Sequence, residues 1–260
     1  MEGDVIRVGV RVSQDAAEAA RARLLEVVPG GFEEIDREAV VELVAYVEDA
    51  AAALACFPGA TVERVADGWE DRWKEFHRPV VAGGLWIGPP WETPPDDRPA
   101  VVIDPGRAFG TGAHATTRLC VELLSRCVRG SLLDVGCGSG VLAIAASRLG
   151  FAPITAIDDD PVAIAAAEEN LRENGVVGKA IVLDALADDL PRADVAVANV
   201  LLRPVEAILA RLDGVGEVVT SGYRAGERPA HPGWSHLESL EADDWAADRF
   251  ARPSVYSRCP

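Results

Sequence analysis

The sequence has few cysteines, no long apolar run and no surplus of positive charge, and each shortage excludes a class of function. Five cysteines, an odd number without a Cys-x-x-Cys pair, argue against a disulfide framework and against a zinc site. Cys120 and Cys127, seven apart on an expected helix, read as buried thiols. The longest apolar stretches, "VLAIAAS" and "AAALACF", are far too short to span a bilayer. "MEGDVIRV" holds no basic segment followed by an apolar one, so no export signal is expected and the chain is placed in the cytoplasm. With 25 Lys and Arg against 42 Asp and Glu, the formal net charge is −17. Such a surface repels bare nucleic acid and serves solubility, and the acidic excess extends into the first 65 residues.

What is present is enough for a core: 49% of the 260 residues are apolar, which suits one large domain or a domain with a small module. Residues 1–65 read strand, helix, strand, strand, helix, strand. "VIRVGVRV" alternates apolar and polar, and Ser13 is placed to cap a helix whose Ala17, Ala20, Leu24 and Val28 share one face. "PGG" at 29–31 stops that helix, "GFEEID" and "VVELVAYV" are strands, a helix runs from Asp49 to Phe57, and "TVERV" is the last strand. That order is a ferredoxin-like α+β module, suited to binding another macromolecule. Residues 66–100 form a connector, with Trp69, Trp73 and Phe76 as an apolar stripe on a short helix. In it, "LWIGPPWETPPDDRP" is expected to be an irregular, proline-rich loop.

Residues 101–260 change rhythm. Short apolar strands, "SLLDVG", "PITAID", "KAIVLD", "ADVAVANV" and "GEVVTSG", alternate with helices, and Asp160 with Pro161 starts one of them. The expected fold is α/β, a Rossmann-like doubly wound parallel sheet. The first strand turns into its helix through Asp134, Gly136, Gly138 and Gly140. In the dinucleotide fingerprint a glycine stands three residues after the second, but Val141 occupies that place here. The tighter turn suits a ligand without a pyrophosphate, and S-adenosylmethionine fits. Its carboxylate can face the helix N-terminus, and Asp134 can take its ammonium through water. Asp158, ending the second strand, is placed to accept both ribose hydroxyls. Asp184, after the third, meets either the adenine amine or only solvent. Asn199, ending the fourth, is either a substrate-amine acceptor, and so the candidate catalytic residue, or an ordinary strand-to-loop asparagine.

"DPGRAFGTGAHATT", "DVGCGSGVLAIAA", "AIDDDPVAIAAAEENLRENGV", "ADVAVANVL" and the connector "EDRWKEFHRPVVAGGLWIGPPWE" together resemble the ribosomal protein L11 methyltransferase (PrmA) family. The resemblance covers most of residues 1–222. It implies that Thr117, Gly136, Asp158 and Asn199 contact S-adenosylmethionine, and that the small module recognises a large-subunit ribosomal protein. It further implies that lysine side chains and an N-terminal amine of that protein are methylated. Asp159, Val200 and Leu202 depart from the residues usual in the family, and "YRAGERPAHPGWSHL" is too short for the usual helix before a final hairpin, here "SHLESL" and "DRFARP". In "FGTGAHATT" the glycines precede the first strand of the sheet, and no second histidine stands at ligand spacing from His114, so no metal is expected. Thr116 and Thr117 lead into "RLCVELLSRC", where a threonine helix cap is expected, and the resemblance makes the glycine loop a lid over the cofactor.

Overall fold

A computed structural model describes residues 6–28, 32–37, 40–47, 49–65, 78–104 and 112–253. The chain divides into two compact units, Met1–Phe76 and His77–Pro260. The "PGG" stop at 29–31, the Trp69–Trp73–Phe76 stripe and residues 105–111 of the glycine loop lie outside the described residues.

In the first unit, β1 (Ile6–Ser13), α1 (Ala17–Val27), β2 (Glu33–Arg37), β3 (Val40–Val47), α2 (Ala51–Cys56) and β4 (Thr61–Arg64) follow in the expected sequence. The sheet order is β2-β3-β1-β4, and every described pairing is antiparallel. Each helix thereby joins two strands that lie apart in the sheet with a third between them, which is the ferredoxin-like split βαβ arrangement. Ala17, Ala20, Leu24 and Val28 are buried with Val8, Val10, Val41 and Leu43, so one helix face and one sheet face make the core. Ser13 does not cap α1: a 3₁₀ turn at Gln14–Ala16 intervenes, and the Ser13 side chain makes no capping bond.

The second unit opens with strands where an irregular loop is expected. β5 (Val80–Ala82), β6 (Leu85–Gly88) and β7 (Ala100–Val102) form a three-stranded sheet, and only residues 89–99 are irregular. The apolar "LWIG" run is fully buried, and burial of that surface outweighs the proline-rich sequence after it. Asn174 fastens β7 by imitating a strand: its Oδ1 accepts from the Val102 N–H at 2.9 Å and its Nδ2 donates to the Val102 carbonyl at 2.7 Å.

Behind this sheet come α3 (Ala115–Leu124), β8 (Leu132–Val135), α4 (Val141–Arg148), β9 (Ile154–Asp158), α5 (Pro161–Glu173), β10 (Gly178–Val182), β11 (Val195–Asn199), α6 (Leu202–Arg211), β12 (Glu217–Arg224), β13 (Ser235–Ala242) and β14 (Trp245–Ala251). The seven-stranded sheet runs β10-β9-β8-β11-β12-β14-β13. The first five strands are parallel, and β14 is antiparallel to both of its neighbours. The order reverses between β8 and β11, the place where such sheets open a crevice for ligands. β8 is buried along its whole length, as a central parallel strand must be. Asp160 caps α5, accepting from the Val162 N–H at 2.8 Å, with Pro161 in the first turn. The cap of α3 is neither threonine: His114 holds that position, and its side chain accepts from the Thr116 N–H. Cys120, Cys127 and Cys137 are buried thiols whose pKa values burial pushes up, which leaves them inert. Among the described residues no helix is long and apolar enough to cross a membrane.

Candidate functional site

The carboxyl ends of β8, β9 and β11 gather most of the expected site residues. Gly136, Gly138 and Gly140 all adopt positive φ, at 70°, 52° and 77°, which L side chains rarely tolerate. A Cβ at Gly136 would stand 2.6 Å from Val200 Cγ1, so this position has no room for a side chain. The turn is also pinned. The N–H groups of Gly136 and Cys137 both donate to the Ile157 carbonyl, and Asn170 Nδ2 donates to the Ser139 carbonyl at 2.8 Å.

Two carboxylates flank it. Asp134, on β8, is buried, and its Oδ2 accepts from the Ala143 N–H in the first turn of α4 at 2.9 Å. Burial raises its pKa from 3.8 to about 7; the Ala143 N–H opposes that rise, and the charge of Asp158 adds to it. Asp158 ends β9, half-buried, with Oδ2 on the Gly138 N–H at 2.9 Å and Oδ1 on the Asp160 N–H at 3.1 Å. Its pKa is raised chiefly by burial and further by Asp159 and Asp160, against those two N–H donors. Among the described residues, no positive charge acts on either acid. A ligand bearing a cation and hydroxyl donors supplies what they lack.

Asn199 ends β11, half-buried, and its Nδ2 donates to Thr116 Oγ1 at 3.1 Å. Among the described residues nothing donates to its Oδ1. Thr117 is buried in the first turn of α3, and no described residue hydrogen-bonds its hydroxyl. Asp184 stands apart from these residues in character: it is exposed, and its Oδ1 accepts from the Leu186 N–H at 2.8 Å, closing a local turn. Its N–H and carbonyl serve the same turn, through Asp188 and Ala187. Among the described residues no group of His, Cys, Asp and Glu could hold a metal ion.

Three features were hidden from sequence reasoning. Thr116 links α3 to Asn199 and also meets His114 Nδ1 at 2.8 Å. Gly222, at φ 100° in the bulge between Ser221 and Tyr223, packs directly on the Val200 backbone, where a Cβ would collide with the Val200 carbonyl. Asp248 of β14 is buried and receives Tyr223 Oη at 2.9 Å, Arg228 Nε at 3.1 Å, His236 Nε2 at 2.9 Å and Ser239 Oγ at 2.5 Å. Only the glycine after "VVTS" could have hinted at the second of these. The other two join residues far apart in sequence.

The chain matches the family described as ribosomal protein L11 methyltransferase (PrmA) over residues 9–249. The ribosomal protein L11 methyltransferase of Dechloromonas aromatica is 40% identical over 197 residues, 72% of this chain and 66% of the relative. That of Vibrio cholerae is 42% identical over 209 residues, 76% of this chain and 68% of the relative. The chain thus spans about two-thirds of the length of the curated relatives it matches. A crystal structure of ribosomal protein L11 methylase from Lactobacillus delbrueckii subsp. bulgaricus superposes with a TM-score of 0.62 at 30% identity. The match covers 68% of this chain and 99% of that one. With a matched region that runs from β1 to β14, the chain belongs to the ribosomal protein L11 methyltransferase family.

Proposed function

We propose that the protein is an S-adenosylmethionine-dependent N-methyltransferase that modifies lysine side chains, an N-terminal amine, or both, on large-subunit ribosomal protein L11. The observation that carries this reading is the extent of the family match, which takes in the small module as well as the seven-stranded sheet. A small-molecule methyltransferase would leave the small module idle. An RNA methyltransferase that flips its base usually stacks it on an aromatic after the fourth strand. Here Val200, Leu201 and Leu202 follow Asn199.

The residues present fit S-adenosylmethionine. The turn holds three glycines at positive φ, with a Cβ at Gly136 excluded by Val200, and Asp134 and Asp158 are carboxylates whose pKa values burial raises and which a cation and hydroxyl donors would suit. Gly136, Gly138 and Gly140 would let the backbone approach, Asp158 would take ribose hydroxyls, Asp134 the ammonium through water, and Thr117 would line the methionine end. Asp184, with Oδ1 used in its turn, would offer Oδ2 to the adenine amine. When bound, S-adenosylmethionine supplies an activated methyl group on a sulfonium.

Transfer of that group needs a neutral nitrogen. A free lysine has a pKa near ~10.4, so neutralising it at pH 7.4 costs about 4 kcal/mol, whereas an α-amine with pKa near ~8 costs below about 1 kcal/mol. No strong base is required: removing the amine from water lowers its pKa, and Asn199 Oδ1 accepts one N–H so that the lone pair is aimed. Placement then provides most of the acceleration. In the decisive experiment, the protein is incubated with labelled S-adenosylmethionine and ribosomal proteins, and the label is located by mass spectrometry. Label on L11 amines is expected; label on RNA, or on nothing, overturns the proposal. Asn199→Ala is expected to lower turnover; a variant that keeps both normal turnover and normal cofactor affinity removes Asn199 from the transfer.

A further inference from the structure

We infer that Thr116 and His114 form a one-way hydrogen-bond relay that fixes which face of the Asn199 amide meets the substrate amine, making both of them positioning residues for the transfer. The inference rests on the proposed reading of Asn199 as the amine acceptor. An asparagine amide has nearly equal ends: turned by half a rotation, it would present an NH₂ donor to the amine and repel the N–H it must receive. Something must choose the end.

The choice begins at a group that cannot reverse. His114 caps α3, and the main-chain N–H of Thr116 points at His114 Nδ1, 3.4 Å away. A backbone N–H only donates, so Nδ1 is an acceptor and the ring carries its proton on Nε2. Thr116 Oγ1 lies 2.8 Å from the same Nδ1. With Nδ1 accepting, the threonine hydroxyl must donate its one proton there. Its oxygen can then only accept from Asn199, 3.1 Å away, which requires Nδ2 at that end. Oδ1 is left facing the other way. The opposite assignment would place Nδ1–H against the Thr116 N–H, two donors facing each other inside the helix cap.

The relay is braced at its far end. The His114 ring meets Trp245 edge-on with centroids 5.0 Å apart, and Trp245 lies beneath the Arg224 guanidinium at 4.5 Å. The Asn199 end is fixed as well: β11 pairs with β12 at Asn199–Ser221, and the Gly222 bulge rests on the Val200 backbone. Thr116 itself is buried, which limits water from replacing its bond.

The test compares the parent with Thr116→Val, which keeps the shape and removes the hydroxyl, and Thr116→Ser, which restores it. Two measurements are made on the full chain: steady-state methylation of L11, and the side-chain amide resonances of Asn199 in an ¹⁵N-labelled sample without substrate. Thr116→Val is expected to lower kcat about tenfold or more, with the KM for L11 and the calorimetric Kd for cofactor within about twofold of the parent. The Asn199 amide signals move and exchange faster with water in Thr116→Val, and both properties return in Thr116→Ser. His114→Ala shifts the same signals, a second route to the result if the valine variant folds poorly. Unmoved Asn199 signals, or a Thr116→Val enzyme with parental kcat, overturn the relay. Lost cofactor affinity in place of lost kcat overturns it too, by assigning Thr116 to binding. A parent that methylates nothing on L11 defeats the proposed function instead, while the resonance measurement still tests the relay.

Discussion

Asp134 and Asp248 are both carboxylates about 1% exposed on strands of the same sheet, yet they are supplied in opposite ways. Asp248 has donors from four side chains, Tyr223, Arg228, His236 and Ser239, and Tyr223 Oη is within bonding distance of Thr220 as well. Among the described residues Asp134 has one, the Ala143 N–H, and burial raises its pKa to about 7. A buried charge costs free energy unless it is compensated. The saturated acid holds β12, β13 and β14 together. The undersupplied acid lies beside the glycine turn, where the proposed function assigns it the cofactor's ammonium. On the proposed reading, the count of donors around a buried carboxylate separates scaffold from site where burial alone does not.

Removing each acid should break the molecule in a different place. Asp248→Ala leaves four donors without their common acceptor, and a loss of about 3 kcal/mol is expected in urea unfolding. Cofactor affinity of the folded fraction, measured by calorimetry, should stay within about twofold, because none of those side chains belongs to the glycine turn. Asp134→Asn keeps an oxygen for the Ala143 N–H but no charge. Its expected signature is a cofactor Kd raised about 30-fold, the scale of a charged hydrogen bond, with no loss of stability. If Asp134→Asn unfolded the protein, or Asp248→Ala abolished cofactor binding, the distinction drawn from donor counts would fail.

The same contrast has a pH dependence with a definite sign. With its pKa raised from 3.8 to about 7, Asp134 in the ligand-free fold keeps a proton that the unfolded chain has released. More protons bound in the folded state mean that stability falls as pH rises. Its contribution is whole below about pH 4 and is lost as pH climbs through 7, and Asp158, raised in the same direction, adds to the trend. Asp134→Asn removes most of that slope. The variant should match the parent in Tm near pH 5 and exceed it by about 5 to 10 °C at pH 8 in a ligand-free melt, the scale of a change of ~2.6 kcal/mol. Equal melting curves at both pH values would show that the burial penalty on Asp134 has been relieved by other means.

The two acids also differ in how far the sequence discloses them. Asp134 announces itself through its neighbours, because a strand end followed by three alternating glycines has few uses other than a close backbone turn, and Asp158 follows at the next strand end. The succession of strands and helices and the small split βαβ module are equally legible, since hydrophobic period and turn residues are local properties. Asp248 has no local mark: its partners come from β12, β13 and the segment between them, and only the folded hairpin assembles them. Thr116 is concealed for the same reason, since its bond to Asn199 spans 83 residues. "LWIG" reads as loop because of the prolines that follow it, while its pairing with residues 80–82 and 100–102 is decided by packing. Ser13 has the chemistry of a cap, but it is the last residue of β1 and the 3₁₀ turn displaces it.

Asp184 gives the smallest and most discriminating effect, because its observed turn bond and its proposed adenine contact use different carboxylate oxygens. Its Oδ1 closes the 184–188 turn, and its side chain is otherwise exposed, so solvent competes with any ligand at Oδ2. Two substitutions separate the roles. Asp184→Asn keeps an acceptor for the Leu186 N–H and one further polar end, whereas Asp184→Ala removes both. A hydrogen bond to the adenine amine at so exposed a place is worth about 1 kcal/mol, so Asp184→Ala should raise the cofactor Kd about threefold to fivefold. Adenosine-derived ligands and S-methyl-methionine sulfonium then provide the control. Affinity lost for the first and kept for the second puts the carboxylate on the base, while equal losses for both leave it as a turn cap whose loosening disturbs the strand ends together.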